Sequence, residues 1–139
     1  MTDIRLSDLD WFLPPHNKVE CMKLILPLPG YILSPNARPH FHPKAKATRE
    51  YRWIVMVAAQ AWCSVNEHTF PWQEATIQLT YHFEKKARRD PDNLLFLFKA
   101  GFDGLRDAGI LMDDDLLTHL PVKKFTGSKD PRLEMEVMR

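Results

Sequence analysis

The segment QEATIQLTYHFE, residues 73–84, places the tightest limit on what this chain can fold into. Ala75, Ile77, Leu79, Tyr81 and Phe83 alternate with Glu74, Thr76, Gln78, Thr80, His82 and Glu84. Strict period two over that length suits a strand with one face in a core and one toward water. A chain of 139 residues supports a single such core and is too short for two. The remaining patterns supply its neighbours. Glu20 to Leu28 reads as a strand closed by Pro27 and Pro29. Residues 33–46, rich in Pro, Ser and Asn, read as a loop, and residues 1–19 as an N-terminal extension.

From Lys44 to about Asn66 the residues Tyr51, Ile54, Val55, Ala58, Ala61, Trp62 and Val65 recur at three and four, predicting a helix. A second helix is predicted from about Asp92 to Ala108, with Leu94, Leu95, Phe98, Phe102 and Leu105 inward and Gly109 as its stop. Residues 116–125 and 131–138 then suggest a hairpin around TGSKD. The order β-α-β-α-β-β implies an α/β (α+β) domain over residues 20–139, a mixed sheet packed against two helices. Trp53 and Trp62 are expected in the core.

Several classes are excluded. The longest uncharged run, Trp53 to Asn66, has 14 residues, against about 20 for a membrane span. The N-terminus carries Asp3, Asp8 and Asp10 and no apolar stretch, so no secretory signal is expected. Cys21 and Cys63 form neither a metal-binding pair nor a disulfide framework, so a reducing cytoplasm is the expected setting. His40 and His42 form an HxH without a third ligand, a poor zinc site.

Net charge is only +1, but it is unevenly placed. Between Asp90 and Asp115 seven aspartates face only Lys99 and Arg106. Before this island stands KKARRDPDN, residues 85–93, in which Lys85, Lys86, Arg88 and Arg89 precede two carboxylates. Asp90 at a helix N-cap with Pro91 after it is a good helix start in its own right. It uses one carboxylate only, and the cations sit at the helix end that disfavours them, which suits an incoming polyanion. Asp113, Asp114 and Asp115 follow the second helix, and a solvated turn would explain them equally well. If one of them joins Asp90 and Asp92, three carboxylates without His or Cys suit Mg²⁺, or Mn²⁺, rather than Zn²⁺. A further basic group, Arg38, Lys44, Lys46, Arg49 and Arg52, is opposed in sequence only by Glu50 and fits phosphate contact.

The stretches LPLPGYILSPNARPHFHPKA, RRDPDN, KAGFDGLRDAG and the DDD after it resemble the RusA family of Holliday junction resolvases, notably its phage and prophage members. The likeness runs along residues 22–138. It implies a homodimeric Mg²⁺-dependent endodeoxyribonuclease that resolves four-way junctions by paired symmetric nicks in DNA recombination and repair, with no nucleotide cofactor. It assigns the metal to Asp90, Asp92 and Asp114, with Asp113 or Asp115 as substitutes for the last, and a catalytic role to Lys99. Arg38, Lys44, Lys46, Arg49, Arg52, Lys85, Lys86, Arg88 and Arg89 would then hold DNA. Two departures stand out. The chain is near neutral, and Lys99 follows Asp92 by seven residues where the family pattern has four. On one straight helix seven residues keep Lys99 on the Asp92 face, about 10 Å along the axis. An inactive junction-binding relative, or a nuclease of flaps or single strands, are the alternative readings.

Overall fold

The computed structural model describes residues 20–35, 37, 41–112 and 117–139. Its elements are β1 (Cys21–Leu26), a 3₁₀ turn (Tyr31–Leu33), α1 (Phe41–Val65), β2 (Ala75–His82), α2 (Pro91–Leu97), α3 (Lys99–Asp107), β3 (Leu117–His119), β4 (Lys123–Phe125) and β5 (Arg132–Met138). They form one mixed five-stranded sheet with helices on one face, the expected class. None of the described helices is long and apolar enough to cross a membrane.

The predicted alternation of β2 is observed. Ala75, Ile77, Leu79 and Tyr81 are buried, and the residues between them are half-buried on the opposite face. On one edge β2 pairs antiparallel with β5, which pairs antiparallel with β1. On its other edge it pairs parallel with β3 and then β4. Ala75 stands opposite Leu117 and Thr80 opposite Lys123, so three residues of the edge (120–122) face two of β2 (78–79). Pro121, which has no N–H for a ladder, sits in this extra-residue bulge, and the Gln78 side chain donates to its carbonyl at 2.8 Å.

Two expectations are corrected here. The last strands do not form a hairpin, because β4 and β5 lie on opposite edges of β2. Leu133, Met135 and Val137 are fully buried and need a central position, whereas Lys-Lys-Phe of β4 is exposed throughout and suits a solvated edge. Nor is there one helix from Asp92 to Ala108. It breaks at Phe98 (φ −89°, ψ 8°), and Lys99 opens a separate helix. Phe98 is wholly buried, edge-on to Tyr51 and to Phe102 at centroid distances of 6.0 and 5.0 Å. Its ring lies across Gly101, where an added Cβ would fall 2.3 Å from Cζ.

On α1 the inward stripe is Tyr51, Val55 and Ala59, flanked by half-buried Ile54, Ala58 and Trp62. Ala61 and Val65 of the predicted stripe face outward. Trp53, expected inside, is 60% exposed, because it lies two residues past Tyr51 and so about 200° around the helix. Cys21 and Cys63 are free, as expected.

Helices α1 and α3 touch backbone to backbone at Gly104, where a Cβ would come within 2.5 Å of the Arg52 carbonyl oxygen. Overpacking of this kind costs about 1–3 kcal/mol. Gly104→Ala should therefore lower the denaturant midpoint clearly. Gly30→Ala, whose Cβ would have 3.8 Å of clearance at extended φ, should leave it within error.

Candidate functional site

The site is built on the end of β2. Past His82 the strand's last aromatic, Phe83, stays fixed: its N–H donates to the Phe125 carbonyl (2.8 Å), and its carbonyl accepts from Ser128 N–H (3.0 Å). Glu84 is held likewise by Gly127 N–H (3.1 Å), with Gly127 at a φ of 81° that favours glycine. Phe83 stacks on Tyr81 with centroids 5.6 Å apart, and the Arg89 guanidinium lies 3.7 Å from the Phe83 ring centroid on a cation–π contact. Arg89 also donates to the Lys85 carbonyl (3.0 Å), while its own carbonyl accepts from Lys124 Nζ. Arg89 thus clamps the loop that presents Asp90. Lys85, Lys86 and Arg88 of that loop are exposed.

Asp90 occupies the N-cap position of α2 in extended conformation, with Pro91 in the first helical position, as the sequence suggested. Its carbonyl takes the first helical bond, from Leu94 N–H at 3.1 Å, but its carboxylate caps no N–H. Asp92, in the first turn, is also exposed. The helix is held by a residue that sequence reasoning assigned only to the core. Tyr81 Oη donates at 2.7 Å to the Leu94 carbonyl, which the break at Phe98 deprives of its helical partner. Burial pushes the Tyr81 hydroxyl far above its ordinary pKa, so it remains a donor. Only its place opposite the freed carbonyl reveals the role.

The acidic island separates into two kinds of carboxylate. Asp107 makes a two-pronged ion pair with Arg52 (Nη2 to Oδ1 2.8 Å), and Asp103 pairs with Arg106 at 3.3 Å. Asp90 and Asp92 have no such partner among the described residues. Beside Asp90 opens a cleft of about 530 Å³ whose walls include Leu28, Tyr31, Phe83, Arg88, Asn93 and Leu97. Asp90 itself lines the cleft, with Arg88 and Asn93 beside it.

Lys99 lies elsewhere. It lines a neighbouring cleft of about 270 Å³ with Lys44, Thr48 and Asp103, and the two clefts share Leu97. The straight-helix geometry that placed Lys99 on the Asp92 face does not hold, since the helix breaks between them. Within the second basic group, Arg52 is paired with Asp107, and Lys46 lies 3.9 Å from Glu50. Arg49 lines a shallow depression with Trp53. Arg38, His40 and Asp113–Asp115 lie outside the described residues. Among the described residues no three His, Cys, Asp or Glu converge.

The residues flanking 113–116 are tied to the start of β2. Met112 N–H donates to the Trp72 carbonyl (3.3 Å), and Leu117 pairs with Ala75 at the start of β2. Asp90 follows Arg89, tied to Lys124, which stands opposite Tyr81. Ala75 to Tyr81 is six residues of strand, about 20 Å.

Tyr81→Phe would leave the Leu94 carbonyl unpaired, at a cost of about 1–3 kcal/mol. Amide hydrogen exchange should rise selectively within residues 91–97. The Arg52 hydrogen bond, aided by its charge, holds the Asp107 carboxyl below its ordinary value of 3.8. A depressed folded pKa stabilises above the unfolded value and ceases to do so as pH falls through the folded one. The urea-midpoint gap between wild type and Arg52→Gln should accordingly be present at neutral pH and close in acid.

Two known proteins are similar to this chain. The crossover junction endodeoxyribonuclease RusA of Escherichia coli O139:H28 is 38% identical over 61 residues, covering 44% of this chain and 48% of that enzyme. An uncharacterized protein of Xylella fastidiosa is 32% identical over 104 residues, covering 72% of this chain and 65% of its own length. No family model matches the chain. The match thus spans about half the length of the RusA enzyme, a RusA-like relationship over part of the molecule.

Proposed function

We propose that this chain is a Mg²⁺-dependent, structure-selective endodeoxyribonuclease that resolves four-way DNA junctions by paired nicks. The observation that carries the reading is the unequal use of the acidic island: Asp103 and Asp107 are neutralised by arginines, while Asp90 and Asp92 face solvent unpaired beside three exposed cations. Neighbouring carboxylates that make no direct ion pair repel each other, and a hard divalent cation with oxygen ligands relieves this. The partial likeness to a junction endonuclease points the same way.

In this reading Asp90 and Asp92 hold the ion, and Arg88, Lys85 and Lys86 receive the phosphates around the scissile link. Bound Mg²⁺, or Mn²⁺, supplies the charge that polarises a phosphodiester and makes water acidic enough to attack it. Asn93, lining the same cleft, orients substrate or water by hydrogen bonding. Lys99 and Lys44, across Leu97, contact the next phosphate along the strand. Arg49 and Lys46 extend the phosphate contacts, and Arg38 is assigned the same role from its sequence neighbourhood alone. Arg52 and Arg89 contribute charge from fixed positions, each already bound within the fold.

Asp114 is the proposed third carboxylate. Two equivalent cuts call for a two-fold dimer, and the mixing experiment below tells whether this carboxylate comes from the same copy or from the second. The non-catalytic alternative gains from the placement of Lys99 in a separate cleft, and it is told apart by tight junction binding without cleavage.

On a synthetic four-way junction in Mg²⁺, wild type should nick two opposed strands. Asp92→Asn should lose at least about a hundredfold in rate, the loss of a few kcal/mol of charge stabilisation, while still binding the junction. Mixing Asp92→Asn with Asp114→Asn protein should restore nicking of one strand per junction if ligands come from two copies. Equal nicking by wild type and Asp92→Asn would refute the site.

A further inference from the structure

We propose that the cleft beside Asp90 is a nucleobase pocket, in which an unstacked base at the branch point lies against Tyr31 while its phosphate meets the carboxylate and arginine rim. The inference rests on the nuclease reading above and adds to it a means of recognising the substrate. A hydrated cation and a phosphate require only polar groups. They give no reason for walls of Leu28, Phe83, Leu94 and Leu97 around about 530 Å³. A space of that size with mainly apolar walls and a few converging polar groups suits a flat organic ring.

The arrangement of the walls specifies the ring's chemistry. Tyr31 lines the cleft and yet is 72% exposed, an aromatic face with no packing role of its own among the described residues. It is not on a loose loop. The turn that carries it is closed by Leu33 N–H to Gly30 carbonyl (3.0 Å) and Ser34 N–H to Tyr31 carbonyl (2.8 Å). The preceding Pro27 carbonyl is tied to α1 by Tyr51 Oη at 2.8 Å. An exposed aromatic ring on a hydrogen-bonded turn is a stacking platform, and every base offers a π-face to it. Asn93, which also lines the pocket, supplies an amide to a base edge. The occupant must also be anionic outside the pocket, because Arg88 and Arg89 line it and exposed Lys85 and Lys86 precede them in the same loop. A nucleotide within a strand satisfies both demands, and the branch point of a junction is where bases unstack most readily.

The test measures junction binding without divalent metal, so that cleavage does not intervene. A single abasic nucleotide is walked through the positions around the branch of a four-way junction, against wild type, Tyr31→Ala and Tyr31→Phe. In wild type one position in each cut strand should weaken binding about tenfold when its base is removed. Tyr31→Ala should bind the intact junction about tenfold more weakly and be indifferent to the abasic site at that position. Tyr31→Phe, which keeps the ring, should behave as wild type. The pocket is refuted if no abasic position matters, or if Tyr31→Ala stays as sensitive to it as wild type. Wild-type protein that nicks junctions while failing this test sinks the pocket alone. Wild-type protein that does not prefer a junction to a duplex sinks the nuclease reading, and the pocket with it.

Discussion

Everything at the candidate site refers back to one fully constrained strand. β2 has hydrogen-bonded neighbours on both edges and a core on one face, so its side chains are fixed in all three directions. Consecutive inward residues then carry different duties. Ile77 and Leu79 fill the core, Tyr81 reaches out of it to hold α2 by the Leu94 carbonyl, and Phe83 supports Arg89 and so the loop before Asp90. A displaced β2 would move both carboxylates, because nothing else in the described structure fixes the start of α2 so directly.

The break at Phe98 is the second determinant. A continuous helix would satisfy the Leu94 carbonyl internally and leave Tyr81 with a buried hydroxyl lacking an acceptor. Turning the chain at Phe98 buries that ring against Tyr51 and Phe102, and Gly101 makes room for it. The same turn carries Lys99 away from the Asp90 cleft and toward Lys44. Gly101 and Gly104 of the KAGFDGL stretch are therefore packing residues: one admits the Phe98 ring, the other the backbone of α1.

Electrostatics sort residues that look alike in one dimension. Four described aspartates of the acidic island have similar sequence surroundings, yet two face arginines and two face water. Arg52 and Arg89 looked equivalent to Arg49 and Arg88 as phosphate ligands, and the fold binds the first two internally. That division, rather than net charge, leaves Asp90, Asp92 and Arg88 without an ion-pair partner among the described residues.

The mixed-sheet class, the inward faces of β2 and β5, the start of α2 at Asp90-Pro91 and the burial of Phe98 were legible in the sequence. Each follows from local periodicity or from the backbone limits of proline, which act over a few residues. The pairing of β4 and β5 with opposite edges of β2, the break at Phe98, the exposure of Trp53 and the pairing of Arg52 with Asp107 were not. Each depends on a partner far along the chain: which edge is free, which carbonyl needs a donor, which carboxylate lies across a helix crossing. The sequence by itself determined which residues seek the core and where segments start and stop. Only the tertiary structure decided which charges remained uncompensated, because compensation is a property of pairs brought together by folding.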